Sequence, residues 1–322
     1  MDRRVISGRI RLIRPTPHER TPSVGYRTDR RAGMLTLQFV LPAALLFVVI
    51  GLYPTLQAVV TSLTRYNLTD PDRVRFVGLA NYVRLVTDGR FWVALGRSVL
   101  FVVSSVALSF TIGFLVALLL ARIKRFRALF QVLFMLPMVV SSTVVAYNFR
   151  FMYNYSFGII NHIVETIGFS RIDFLGNTAA ALWSTVVIDV WQWTPLVILI
   201  MFAGIDTLPK ELYEAAAVDG AGPLRSFVAL TLPLLRPFIV IVLLIRLMDT
   251  MKVYETIYLV TAGGPGTASE TLNLYLAKVG FSWFDMGYGS ALGLVSLNVT
   301  ALIAMLVVKR TGVFRSAAGV AR

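Results

Sequence analysis

The chain has no cysteine and only two histidines, His18 and His162. That excludes a disulfide framework and a thiolate metal site. Two isolated imidazoles are also too few for an ordinary zinc site and poor material for a nucleophile–base pair. None of the five lysines (Lys124, Lys210, Lys252, Lys278 and Lys309) follows a glycine. The phosphate-cradling Gly-x-x-x-x-Gly-Lys-Ser/Thr is therefore missing, and no catalytic activity, bound cofactor or nucleotide is expected on this polypeptide. Charge is scarce as well. Of 322 residues 15% are charged and 57% hydrophobic, where a soluble chain carries about 25% charged residues.

What is present is a series of apolar runs, each near the ~20 residues that carry a helix across hydrocarbon. They lie near 35–63, 98–121, 129–153, 179–204, 237–261 and 287–308. The expected fold is an all-α integral membrane protein of six transmembrane helices. It divides into a basic tail over 1–33, a membrane domain over 34–312 and a short tail over 313–322. Pro42 and Pro54 fall inside the first run, which membrane helices tolerate when neighbours satisfy the freed carbonyls. The long basic tail, with no small-residue cleavage site after the first run, reads as retained rather than as a secretory signal.

The net charge of +14 invites a nucleic-acid reading, but its placement argues against one. Nine arginines stand between Arg3 and Arg31, four basic residues lie within Arg122–Arg127, and Lys309, Arg310 and Arg315 close the chain. Basic residues flanking spans mark the cytoplasmic side. The expectation is N-in and C-in in a plasma membrane, with no nucleic acid and with anionic lipid as a partner of the tail. One external segment is discordant, since it carries Arg65, Arg73, Arg75, Arg84 and Arg90.

The connection over 205–236 holds the most information. Asp206 or Thr207 can cap a helix with Pro209 in its first turn, and Glu211 suits the positive helix start. That helix should stop at Gly220-Ala221-Gly222, and Pro223 should open another. Gly220 suits a turn needing positive φ. Leu212, Ala215 and Ala216 offer a small apolar face beside Glu211 and Glu214, suited to a groove on a partner. An amphipathic helix lying on the membrane surface would have the same pattern.

The spacing Glu214-Ala215-Ala216, three residues, Gly220, nine residues, Leu230-Thr231-Leu232-Pro233 resembles the EAA loop of bacterial ABC-importer permeases. Leu230 stands where that pattern has isoleucine. The wording Tyr213-Glu214-Ala215-Ala216-x-x-Asp219-Gly220-Ala221 is similar to the carbohydrate, maltose-type branch. So are Phe76-Val-Gly-Leu-Ala-Asn-Tyr82, Leu136-Pro137 and Thr261-x-Gly-Gly-Pro265. The resemblance runs from the first span to the last. It implies a type I importer permease whose loop (Glu211, Glu214, Ala215, Ala216, Asp219, Gly220, Ala221) docks on an ATPase subunit. The implied partners are a second related permease, two ABC ATPases carrying MgATP and an external solute-binding protein.

Polar residues within spans are the candidate transport path, because charge at membrane depth faces protein or a water-filled cavity. Asp189, Trp191, Gln192 and Trp193 lie in the fourth run, followed by Pro195, which could break that helix. Arg246, Asp249 and Lys252 recur at three-residue spacing in the fifth run, followed by Tyr254 and Glu255. Hydroxyl-directed polar groups beside aromatic faces suit a sugar ring, and a structural ion pair of Arg246 with Asp189 or Asp249 suits the same residues. By the resemblance, Asp189, Gln192, Trp193 and Asp249 fall in site-lining stretches, with aspartate where that family often has asparagine. Two other functions fit the span pattern: an ion-coupled transporter using Asp189 and Asp249, and a non-transporting scaffold.

Overall fold

A computed structural model describes residues 30–123 and 125–311. The basic tail expected over 1–33 lies outside them except for 30–33, and the tail over 313–322 lies outside entirely. Two compact units divide the chain, Met1–Thr55 and Leu56–Arg322. In the first, helix α1 (Arg30–Phe47) passes through a π-helical turn at Val48–Leu52 into α2 (Tyr53–Ser62). Pro42 lies inside α1 without ending it.

The second unit begins within α2. A two-residue hairpin, β1 (Thr64–Arg65) with β2 (Arg75–Phe76), leads to α3 (Ala80–Thr87) and α4 (Gly89–Arg122). The third run is two helices, α5 (Arg127–Val139) and α6 (Ser142–Met152), bent by 88° at their junction. A short α7 (Ile159–Thr166) precedes α8 (Ala180–Asp206). Then come α9 (Lys210–Val218), α10 (Pro223–Ser226), a π-helical turn at Phe227–Thr231 and α11 (Leu232–Thr250). The remainder is α12 (Glu255–Thr261), α13 (Leu272–Ala277), a π-helical turn at Lys278–Ser282 and α14 (Met286–Thr311). Among the described residues, five helices are long and apolar enough to cross a membrane, or six if the bent pair forms one span.

Helix α8 is the axis of the unit: its apolar window is 61% buried, against 33% for α4 and 22% for α14. It packs most extensively on α4, and Gly113 makes the approach possible. A Cβ there would sit 2.6 Å from the Val197 Cβ, well inside van der Waals contact, so any side chain would push the helices apart. Phe114, Ala117, Val197, Met201 and Leu235 fill the core around this crossing.

Two expectations about broken helices are corrected. Pro195 does not interrupt α8, which runs unbroken through it. The breaks fall in the third and fifth runs instead. The fifth run was expected to continue to 261, but α11 stops at Thr250 and α12 restarts at Glu255. Its start is also earlier than expected, because Pro223–Thr250 forms one 28-residue span.

Two arginines of the discordant segment find partners in the last third of the chain. Arg84 pairs with Asp285 at 2.7 Å, and Arg90 grips the buried Glu270 carboxylate with two bonds of 2.7 and 2.8 Å. Lys278 reaches the same carboxylate at 2.7 Å. Burial works against the Glu270 charge, but hydrogen bonds from Arg90 and Lys278 outweigh it and hold the carboxyl below its ordinary value. Asp88 behaves alike: burial opposes its charge, and the hydroxyls of Tyr275 and Tyr288, each 2.5 Å away, together with the backbone N–H groups of Arg90 and Phe91, more than offset that.

Candidate functional site

Asp189 lies nine residues into α8, or ~13 Å along the helix at 1.5 Å per residue. At that depth its charge needs a partner, and Arg246 of α11 supplies one at 2.5 Å. Arg246 is only 1% exposed and Asp189 5%. The guanidinium also donates from Nε to Ser109 Oγ at 3.4 Å and stands 5.9 Å from the Trp193 ring centroid. Its Nη1 lies 3.6 Å from Asp249 and makes no hydrogen bond. Asp249 itself is 45% exposed. One buried cation thus serves two carboxylates, one locked and one open to solvent.

Four residues after Arg246 the helix ends, and the backbone turns through 251–254 before α12 begins. Non-helical backbone at this depth is stable only where protein or a cavity satisfies it. Asn273 of α13 donates to the Met251 carbonyl at 2.7 Å. At the other break, Gln192 of α8 donates to the Val140 carbonyl and to Ser142 Oγ, both at 3.1 Å. A side-chain amide therefore completes each broken span. The segments beyond the breaks, α6 and α12, are joined by Arg150 donating to the Leu259 carbonyl at 3.0 Å and by Thr143 with Glu255 at 3.5 Å.

Between the two breaks lies a cavity of ≈ 280 Å³ bordered by Ser142, Asp189, Trp193, Asp249, Lys252 and residues 253–256. Four of the six expected path residues, Asp189, Trp193, Asp249 and Lys252, meet here. The other two do not border it. Arg246 lies behind its carboxylates, and Gln192, 2% exposed, is engaged at the break. The three-residue spacing suggested that Arg246, Asp249 and Lys252 share a helical face, but Lys252 lies past the helix end. Ser142 escaped the sequence reading. Its signal was the Pro137-to-Ser142 stretch, where a proline and two serines invite a break.

The 205–236 connection folds as an elbow. Its first helix is α9, but neither Asp206 nor Thr207 caps it, since Pro209 occupies the cap position without a side-chain bond. At the far end Gly220 has φ +76°, and two amides close the helix, Gly220 N–H onto the Ala217 carbonyl and Ala221 N–H onto the Ala216 carbonyl. This is the glycine-terminated cap in which an L side chain would be strained. Glu211, Leu212, Glu214, Ala215, Asp219 and Gly220 are exposed, while Ala216 and Ala221 are half-buried. Tyr213 Oη lies 2.9 Å from Thr231 Oγ1 and ties α9 to the span that follows.

Residues 109–311 match the family described as binding-protein-dependent transport system inner membrane component. The trehalose/maltose transport system permease protein of Thermococcus litoralis is 34% identical over 295 residues, 92% of this chain and 98% of that protein. The sulfoquinovosyl glycerol transport system permease protein of Agrobacterium fabrum is 32% identical over 273 residues, 84% of this chain and 89% of that one. The crystal structure of a bacterial ABC transporter that imports alginate contains a chain of like fold, with a TM-score of 0.76 at 22% identity. The match covers 88% of this chain and 96% of that one.

Proposed function

Since the chain belongs to the family of binding-protein-dependent transport system inner membrane components, we propose that it forms half of the translocation path of an ATP-driven importer for a sugar or sugar-like solute. Relatives named for trehalose, maltose and sulfoquinovosyl glycerol transport support the solute class. In this reading the chain is a multi-pass permease of a bacterial inner membrane, N-in and C-in, and does no chemistry. A second related permease supplies the other half of the path. Two ATPase subunits hold MgATP, and an external solute-binding protein delivers the cargo.

One observation carries the reading. The unbroken Pro223–Thr250 span begins at the Gly220 elbow and ends at the cavity, where Asp249 is its penultimate residue. At 1.5 Å per residue its 28 residues make a rod of ~42 Å. The exposed α9 face would dock on an ATPase subunit through Leu212 and Ala215, with Glu211, Glu214 and Asp219 at the rim. Closure of the ATPases on nucleotide would then move the rod, and with it one wall of the cavity. Within the cavity, Asp249 and Asp189 accept from solute hydroxyls, Lys252 donates, and Trp193 offers an aromatic face for the apolar side of a ring. Access alternates as the two permeases rock about this site. The ion-coupled alternative has less support, because Asp189 is already matched by Arg246.

The test is reconstitution of the complete importer with a panel of saccharide-loaded binding proteins. Gly220→Pro should leave insertion and complex assembly intact while solute-stimulated ATP hydrolysis and uptake both fall at least about tenfold, a coupling loss of ~1.4 kcal/mol. Normal uptake by that variant would sink the docking role.

A further inference from the structure

The segment between α6 and α8 carries an apolar face with no task in the transport path. On α7, Ile159 and Ile163 fall on one side at four-residue spacing, Ile167 continues that spacing just past the helix end, and Phe157 and Phe169 flank them. All five are exposed, Phe157 and Phe169 by 70% and 68%. The opposite side is fastened down. Asn161, 1% exposed, donates to the Ile172 carbonyl at 3.0 Å and accepts from the Ile172 N–H at 2.9 Å. Arg171 clasps Glu165 with bonds of 2.6 and 3.1 Å and reaches the Tyr155 and Ser156 carbonyls. The apolar side chains are therefore presented outward by a braced scaffold.

We infer that α7 is an interfacial anchor whose isoleucine and phenylalanine face is seated in the lipid of the outer leaflet. Position is the first argument. The segment 153–179 joins the end of α6 to the start of α8, so it emerges at the bilayer surface within a few residues on either side. Exposed Trp92, Trp183 and Trp283 mark the same end of α4, α8 and the approach to α14, the placement of an interfacial aromatic belt. By chain order α7 lies at that same end, since its segment leads into the start of α8. Energetics is the second. A binding protein that docks and departs in every cycle would return five large apolar side chains to water between visits, an exposure that the hydrophobic effect opposes each time. Lipid covers them permanently. The third is the layout of the helix, with the apolar face, the exposed polar edge of His162 and Glu165 and the buried Asn161 side each on a different sector, as a helix lying in an interface requires.

The cysteine-free sequence allows a direct test. Ile163→Cys and His162→Cys are each labelled with an environment-sensitive fluorophore, and the full chain, with its partner subunits, is placed in nanodiscs with or without acyl-brominated lipid. The label at 163 should be blue-shifted and quenched severalfold more by bromine than the label at 162, whether or not the binding protein is present. A label at 163 that is water-exposed until the binding protein is added would overturn the anchor in favour of a docking surface. A label shielded in every state but indifferent to bromine would overturn it in favour of cover by another subunit. Uptake measured on the same samples keeps this result separate from the importer reading, since the quenching does not depend on transport.

Discussion

At Arg246 two carboxylates compete for one guanidinium, and the geometry assigns them different tasks. Asp189 is buried and bonded at 2.5 Å, whereas Asp249 is half-exposed at 3.6 Å and borders the cavity. A buried charge deprived of its partner is costly, about 3–5 kcal/mol, while replacing both partners with apolar residues is often near neutral. Arg246→Met should therefore lower the thermal stability of the purified complex sharply, and Asp189→Leu added to it should restore most of the loss. If the single variant is as stable as the parent, the pair does not hold α8 to α11. Asp249→Asn is expected to behave differently. It keeps the fold and the melting temperature but raises the solute KM several-fold, because it exchanges one acceptor oxygen in the cavity for an amide donor and takes no charge from the core. A drop in stability without a change in KM would return Asp249 to the structural pair. Aspartate and arginine in apolar runs were plain in the sequence. Which carboxylate is locked to Arg246 and which stands half-exposed was not, because it depends on where the helix ends, and a three-residue spacing carries no information about that.

Helix breaks are the feature that sequence handled least well, for a physical reason. Proline is the visible signal, yet α8 absorbs Pro195 without interruption while the third run breaks between Val139 and Ser142 and the fifth after Thr250. Whether a break survives depends on who satisfies the freed backbone, and the donors, Gln192 and Asn273, are 52 and 22 residues away. Gln192→Leu should leave the Val140 carbonyl without its side-chain donor at the break, and should impair uptake more than Gln192→Glu at mildly acidic pH, where a protonated carboxyl can still donate. Equal uptake by both would remove Gln192 from the break. The turn at Gly220 and the restart at Pro223, by contrast, were legible, since glycine and proline act through their own dihedrals rather than through distant partners, whereas the expected Asp206 or Thr207 cap gave way to Pro209. The existence of the apolar runs was legible too, because length and apolarity are local quantities, while the ends of the fifth run were not.

The external ion cluster gives the element scale a pH dependence. Asp88 and Glu270 both hold their protons less tightly than free carboxyls. A group with a depressed folded-state pKa contributes stability that is complete above the unfolded value, about 4, and is lost as the pH falls through the depressed one. The melting temperature of the purified chain should thus be flat with respect to these two groups from neutral pH down to the ordinary carboxylate range and decline only below it. Glu270→Gln should lower the plateau and flatten the acid decline. An unchanged acid limb in that variant would show that Arg90 and Lys278 do not draw their order from Glu270.

For the whole molecule, the question is how an event at the elbow reaches a cavity some 40 Å away along the chain. The Pro223–Thr250 span is continuous, but it contains a π-helical turn at Phe227–Thr231 close to the elbow. A π-bulge is a common place for a helix to bend or ratchet. Motion could therefore be dissipated locally at that turn, or passed on by the regular helix from Leu232 onward. Core contacts favour transmission, because Leu235 and Val242 are fully buried against α4 and α8 and Phe238 packs beside them, so the helix has little freedom to flex below the turn. Ile245 faces outward, 42% exposed, one residue before Arg246. Proline there removes an intrahelical hydrogen bond and kinks the rod just short of the cavity, leaving the elbow untouched. If the rod is the transmission element, Ile245→Pro should retain co-purifying ATPase subunits and basal hydrolysis while losing the stimulation by loaded binding protein about tenfold, ~1.4 kcal/mol of coupling. If stimulation survives the kink, coupling runs instead through the α8 side of the cavity, by way of the Gly113–Val197 crossing, and the same stimulation assay on Gly113→Leu would then carry the loss.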